Sequence, residues 1–153
     1  MNIHHQIKEN ISTYGQMVIG TPDFAYSIGR ASINQPDLII CTGAMRTNHY
    51  ILNMAHKYLI ENKGKVGITT ELIESKLGQP LPIEIRLIES TNELLNNYVV
   101  QAEHFYECNP QYVKGLIRYA QILLPDINGL FPYQKNYDHQ GFPQTLLKAL
   151  LLN

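Results

Sequence analysis

Ile3, Ile7 and Ile11 recur every fourth residue, which places apolar side chains on one helix face, and Tyr14-Gly15 supplies a stop. The period then shortens. Gln16-Met17-Val18-Ile19 reads as a strand, Thr21-Pro22-Asp23 punctuates it, and Phe24-Ala25-Tyr26-Ser27-Ile28-Gly29 suits a second strand in a hairpin. After the turn residues Asn34-Gln35-Pro36-Asp37 comes the apolar run Leu38-Ile39-Ile40-Cys41, typical of a central strand. Three strands so close in sequence should be antiparallel neighbours.

Thr42-Gly43 leads into a helix reaching about residue 62, with Leu52, Ala55 and Leu59 on one face and Gly64 at its stop. Residues 65–82 are ambiguous: Val66-Gly67-Ile68-Thr69 suits a strand, whereas Gly78-Gln79-Pro80 and Pro82 interrupt the pattern. From Ile83 to Ile88 apolar positions alternate with Glu84 and Arg86, a strand with one wet face. Ser90 and Glu93 form a capping-box pattern ahead of Leu94, Tyr98, Ala102 and Phe105, which predicts a second covering helix. A last strand is expected at 116–124, then the Asn128-Gly129 turn, a loop containing Tyr and Pro, and a short helix over 145–151.

The expectation is one α+β domain over residues 1–153. It has a mainly antiparallel sheet from strands near 16–20, 24–29, 37–41, 83–88 and 116–124, two main helices near 44–62 and 91–106, and a long C-terminal loop. A chain of this length can bury a sufficient core without disulfides or metals.

Composition narrows the functional classes. Twelve Lys and Arg against 13 Asp and Glu leave no positive excess for a phosphate backbone, so nucleic-acid binding is not expected. No window approaches the ~20 apolar residues of a membrane span, and Met1-Asn2-Ile3-His4-His5 lacks the features of a secretory signal, which together predict a cytoplasmic protein. Cys41 and Cys108 have no CxxC partner or zinc-finger spacing and read as two reduced, buried thiols; no metal site is expected. His104 lies near Cys108 in sequence, but helix geometry decides whether they meet.

Two segments carry a recognisable pattern. One comprises Tyr14-Gly15, Phe24-Ala25-Tyr26-Ser27-Ile28-Gly29 and Pro36-Asp37; the other runs Gln121-Ile122-Leu123-Leu124-Pro125-Asp126-Ile127-Asn128-Gly129-Leu130-Phe131-Pro132-Tyr133, then Tyr137-Asp138 and Gln144. Their order and spacing resemble the bacterial domain of unknown function family 4262, with its YG, FAYTIG, PE and Q..WPD..G.FPW patterns over nearly the full domain. The resemblance implies a compact α+β domain and supplies no activity. Where the family carries Trp, this sequence has Gln16, Leu124 and Tyr133, and it holds no Trp. If those indoles form a binding wall, the wall here is thinner.

Chemistry must therefore be sought in the site. Asp126 and Asp138 flank a Gly- and Pro-containing loop and can present carboxylates to a cation, an amine or a guanidinium; Asp126 equally suits capping its own turn. His139 in the same loop is a proton carrier by position. Arg30 and Arg46 each follow a glycine-containing strand end, where they can hold an anion or simply be solvated. Tyr14, Tyr26, Tyr133 and Tyr137 fall in or near the patterned segments and can line a pocket or cover a sheet face, with Gln144 beside them. His49 and His56, seven apart on one helix, read as rim residues too distant to share a metal.

Three readings are open. The first is a small-molecule hydrolase or transferase with Asp126 or Asp138 as acid or base, His139 as auxiliary proton carrier, and Tyr14, Tyr26, Arg46, Tyr133 and Gln144 around the ligand. The second is a protein-binding or inhibitory module in bacterial stress, defence or counter-defence, suggested by a surface light in charge and rich in Tyr and Asn. The third, with a weaker basis in the early strands, is a flavin-binding split barrel. No cofactor is assigned, and oligomeric state is left open. The loop 125–144 is expected to pack against the strand bearing Tyr26, so that Asp126, Asp138 and Tyr26 border one cleft, or else to seal the open sheet edge.

Overall fold

The computed structural model describes residues 2–151. Helix α1 (Ile3–Tyr14) begins at Asn2, whose side chain accepts from the His4 N–H at 2.9 Å. It ends at Gly15, whose φ of 87° is left-handed and whose N–H bonds Ile11 O. A Cβ at Gly15 would stand 2.7 Å from His56 Nε2, so glycine is required there twice over.

Strands β1 (Met17–Gly20), β2 (Ala25–Ile28) and β3 (Asp37–Ile40) form the expected antiparallel meander. Helix α2 (Met45–Glu61) comes next, then β4 (Gly67–Glu74), β5 (Pro80–Ile88), α3 (Asn92–Asn97), α4 (Val100–Cys108) and β6 (Tyr119–Leu123). The sheet order is β1-β2-β3-β6-β5-β4. It is α+β and mostly antiparallel, with one exception: β6 returns to the free edge of β3 and pairs with it in parallel, Asp37 opposite Tyr119. The sheet is open, with β1 and β4 at its margins.

Alternation along the strands sorts the core into two layers. Leu38, Ile40, Ala120, Ile122, Ile83 and Ile85 face α2, where they meet Ile51, Leu52, Ala55 and Leu59. Ile28, Ile39, Tyr119 and Ile88 face Ile7 of α1, Leu94 of α3, and Ala102, Phe105 and Tyr106 of α4. Full burial of each Leu or Ile contributes about 1.5–3 kcal/mol, so the helices are held chiefly by these two faces.

Four expectations need correction. The helix over 91–106 is interrupted between Asn97 and Val100: Asn96 and Asn97 are weak helix formers, and both Tyr98 and Val99 bond back to Leu94 O. β5 starts at Pro80 rather than 83, because Pro82 falls where the β4 register shifts between Thr69 and Ile73 and no ladder bond is demanded of it. That same bulge is why the residues of β4 read ambiguously. Residues 145–151 are not helical; their donors are taken by the sheet, Thr145 N–H by Cys41 O, Leu147 N–H by Gln121 Oε1 and Leu150 N–H by Leu87 O. The segment runs across the face from the end of β3, and Ala149 bridges Ile88 on the β5 edge beyond the reach of β4. Finally, Cys41 is buried and Cys108 exposed; both are free.

Beneath β2 and β3 lies a buried polar network. Asp37, 1% exposed, accepts from Ser27 Oγ at 2.8 Å, Arg30 N–H at 3.1 Å and the Tyr106 hydroxyl. Arg30, read from sequence as solvated or anion-binding, has no exposed surface: its Nε donates to Pro36 O at 2.8 Å and its terminal nitrogens meet Gln35 and His56 Nδ1. His56, expected at the rim, is therefore a buried acceptor. Burial, and next the Arg30 charge, depress its imidazole to about 4, against a hydrogen bond with the Tyr14 backbone that acts upward.

A folded-state pKa below the ordinary value makes His56 a source of stability present above about pH 6.5 and lost as pH falls towards 4. In urea unfolding of wild type and His56→Gln, the wild-type advantage at pH 7 should shrink at pH 5; a constant difference would contradict the assignment. Thiol labelling of the native protein with an aromatic disulfide should modify Cys108 rapidly and Cys41 only after unfolding. Equal rates would refute the burial difference.

Candidate functional site

The carboxyl end of β3 continues as Cys41-Thr42-Gly43 into α2. Thr42 is fixed there: its hydroxyl bonds the Asn48 side chain, and Asn48 Nδ2 donates to Thr42 O at 2.8 Å. Above this end the loop 125–144 folds back. Gln144 grips β6, accepting from Leu124 N–H at 3.0 Å and donating to Leu124 O at 2.7 Å and to the Tyr137 hydroxyl at 2.8 Å. Gln121, fully buried on β6, donates to Thr145 O at 2.7 Å.

Between these parts opens a cleft of about 630 Å³. Its floor is Cys41, Thr42 and Gly43; one wall is Asp23 and Phe24 ahead of β2, another is Glu93, Asn97 and Tyr98 of the α3 segment, and the third is His139 and Pro143 to Thr145. It lies at the carboxyl end of β3, one member of the parallel pair, a location where open sheets commonly bind ligands. The rings of Phe24 and Tyr98 are 4.9 Å apart and tilted by 58°. Burial, followed by Cys41, Glu93 and Asp23, pushes the Tyr98 phenol up. Burial drives the Cys41 thiol to about 12 despite a bond from Gln121, which leaves it protonated and unreactive at neutral pH. His139 is exposed, with its ring edge-on to Tyr137 at 4.7 Å.

The structure brings His139 and Gln144 together in this cleft and places the other sequence-derived candidates elsewhere. Asp126 is 6% exposed and its carboxylate is occupied: Oδ1 accepts from Asn128 and Leu130 N–H, both at 2.9 Å, and Oδ2 from Asp138 N–H at 2.8 Å. Burial acts upward on it, yet these three donors hold its carboxyl below the ordinary range. Asp138 closes a turn by accepting from Gly141 N–H at 2.8 Å. Neither carboxylate lines the cleft, nor does Tyr26, which is buried beneath Phe24 with its hydroxyl accepting from Gln101 N–H. Arg46 is exposed on the first turn of α2, outside the cleft lining. Tyr133 lies over Arg86, 5.1 Å from guanidinium to ring, and donates to Glu84.

Tyr14 borders a different cleft, about 720 Å³, between α1, β1 and α2, with His49 and His56 in its wall. That cleft is larger, but His56 is already committed to Arg30 and the Tyr14 backbone. His104 does meet Cys108, Nε2 to Sγ at 3.6 Å, on a surface belonging to neither cleft. Among the described residues, no group of three or more His, Cys, Asp or Glu is placed to hold a metal ion, and no helix is long and apolar enough to cross a membrane. Gln16, Leu124 and Tyr133, compared above with Trp positions of the resembled pattern, do not share one wall: Gln16 bonds α2 at Leu52 O, Leu124 joins the core under α2, and Tyr133 covers Arg86.

Sequence reasoning missed Asp23, Glu93 and Tyr98. The available signals were a turn aspartate ahead of Phe24 and a first-turn glutamate in α3, both common structural features.

Fold and site together define an α+β domain with an open six-stranded mixed sheet and a polar cleft where its central parallel pair ends. The model of the family described as Domain of unknown function (DUF4262) matches residues 10–138, and the chain belongs to that family. No curated protein and no solved structure matches the chain.

Replacing Asp126 by Asn weakens the acceptor that joins the two ends of the 126–138 turn. Trypsin cleavage at Lys135 should accelerate several-fold while the far-ultraviolet circular dichroism stays unchanged; unchanged cleavage would show that Asp126 does not hold the loop.

Proposed function

We propose that this domain is a small-molecule hydrolase or transferase whose substrate occupies the cleft at the end of β3. The observation that carries the reading is convergence. Both patterned segments wall one cleft, and the exposed His139, two carboxylates and two rings all line it. At the floor of the cleft the Cys41 thiol stays protonated and the Thr42 hydroxyl is bonded to Asn48, so neither is an activated nucleophile. The chemistry that fits is general acid–base catalysis. His139 takes the proton from water or an acceptor hydroxyl as it attacks, and returns it to the leaving group.

In this reading Asp126, Asp138 and Gln144 shape the loop that presents His139, and Arg46 has no part in the reaction. Purified protein should turn over a member of an ester, amide, phosphoester and nucleotide panel, and His139→Gln should lower kcat about 10²-fold with little change in thermal stability. Absence of turnover across the panel, or full activity in His139→Gln, would refute the proposal.

A further inference from the structure

The charge of the cleft lining narrows the substrate class. The chain carries 12 Lys and Arg, yet none lines this cleft. Two carboxylates do, Asp23 from the β1–β2 turn and Glu93 from α3, and the remaining polar groups are amides, hydroxyls and His139. An anionic ligand would meet like charge on two walls and no Lys or Arg side chain. A cation would find the reverse, beside the Phe24 and Tyr98 rings, whose π faces attract positive charge. Burial is the main cause that keeps the neighbouring Tyr98 phenol protonated, followed by Cys41, and Glu93 and Asp23 add to it in the same direction.

Resting on the reading of the cleft as a ligand site, we infer that its substrate is a cation, an alkylammonium or guanidinium compound, held between Asp23 and Glu93 with its carbon frame against Phe24 and Tyr98. The two carboxylates are exposed, so each contributes modestly and is screened by salt. Ring contact supplies the rest of the affinity, which favours a cationic head on an apolar or aromatic stem over a bare ammonium ion. The same charge pattern disfavours phosphoesters and nucleotides as substrates.

Amide chemical-shift mapping of the full chain, with tyramine and agmatine as cationic probes, 4-ethylphenol as the uncharged counterpart of tyramine, and inorganic phosphate as the anion, tests this directly. Tyramine and agmatine should shift the amides of Phe24, Thr42, Gly43 and Tyr98, whereas 4-ethylphenol binds more weakly and phosphate leaves them unmoved. Asp23→Asn and Glu93→Gln should each raise the tyramine Kd about three- to fivefold, and 0.5 M salt should weaken it similarly. Cleft binding of 4-ethylphenol or phosphate as tight as that of tyramine would overturn the charge assignment and leave the cleft a ligand site. Failure of both cations to shift cleft amides would overturn it as well, and turnover by His139 would then decide separately whether the cleft is a site at all. Because the wild-type comparison is decisive without either variant, misfolding of Asp23→Asn or Glu93→Gln leaves the test intact.

Discussion

The structure depends on one buried carboxylate. Asp37 stands at the first position of β3, and to leave water it must be met by donors from several elements. Ser27 comes from β2, the Arg30 backbone from the turn after it, and the Tyr106 hydroxyl from α4. Burial still pushes the Asp37 carboxyl up, to about 6, against these donors and the Arg30 charge. Arg30 then reaches His56 on α2, so a single cluster joins the helices on both faces of the sheet. β3 is only four residues long, about 13 Å, and its other end is the floor of the cleft. The contacts that fix Asp37 therefore fix the position of Cys41 to Gly43.

Many residues of the two patterned segments hold the frame together. Ser27, Gly29 and Asp37 belong to the cluster; Asp126, Tyr137 and Gln144 tie the long loop to itself and to β6. Tyr106 bonds the Gly29 N–H at 2.8 Å, which couples α4 to the same corner. The frame is specified by polar side chains placed where backbone groups would otherwise be orphaned. The cleft is bounded by that frame, and part of its lining, Asp23 and Glu93, comes from less distinctive positions.

Local periodicity carried much of the fold: Leu38 to Ile40 lie in a central strand, and Leu52, Ala55 and Leu59 are the buried face of α2. It failed where long-range partners override local pattern. The parallel pairing of β6 is settled by the free edge of β3, and the extended path of 145–150 by acceptors on β3 and β5. The lining of the candidate cleft was half legible. His139 and Gln144 were visible because they lie in the patterned loop, whereas Arg30 beside Gly29 looks like any surface arginine until Pro36 O, Gln35 and His56 surround it. Asp126 was legible as a turn cap and as an acid, and its three backbone donors select the cap.

The parallel contact between β3 and β6 joins segments about eighty residues apart, so the centre of the sheet is its least local part. During synthesis the β1-β2-β3 meander can form early, but it emerges with the β3 edge open and apolar, a surface suited to pairing with another chain. Protection arrives only when residues 119–123 leave the ribosome, after α2, the β4–β5 hairpin and α4. Slow elongation between the third and sixth strands would prolong that exposure.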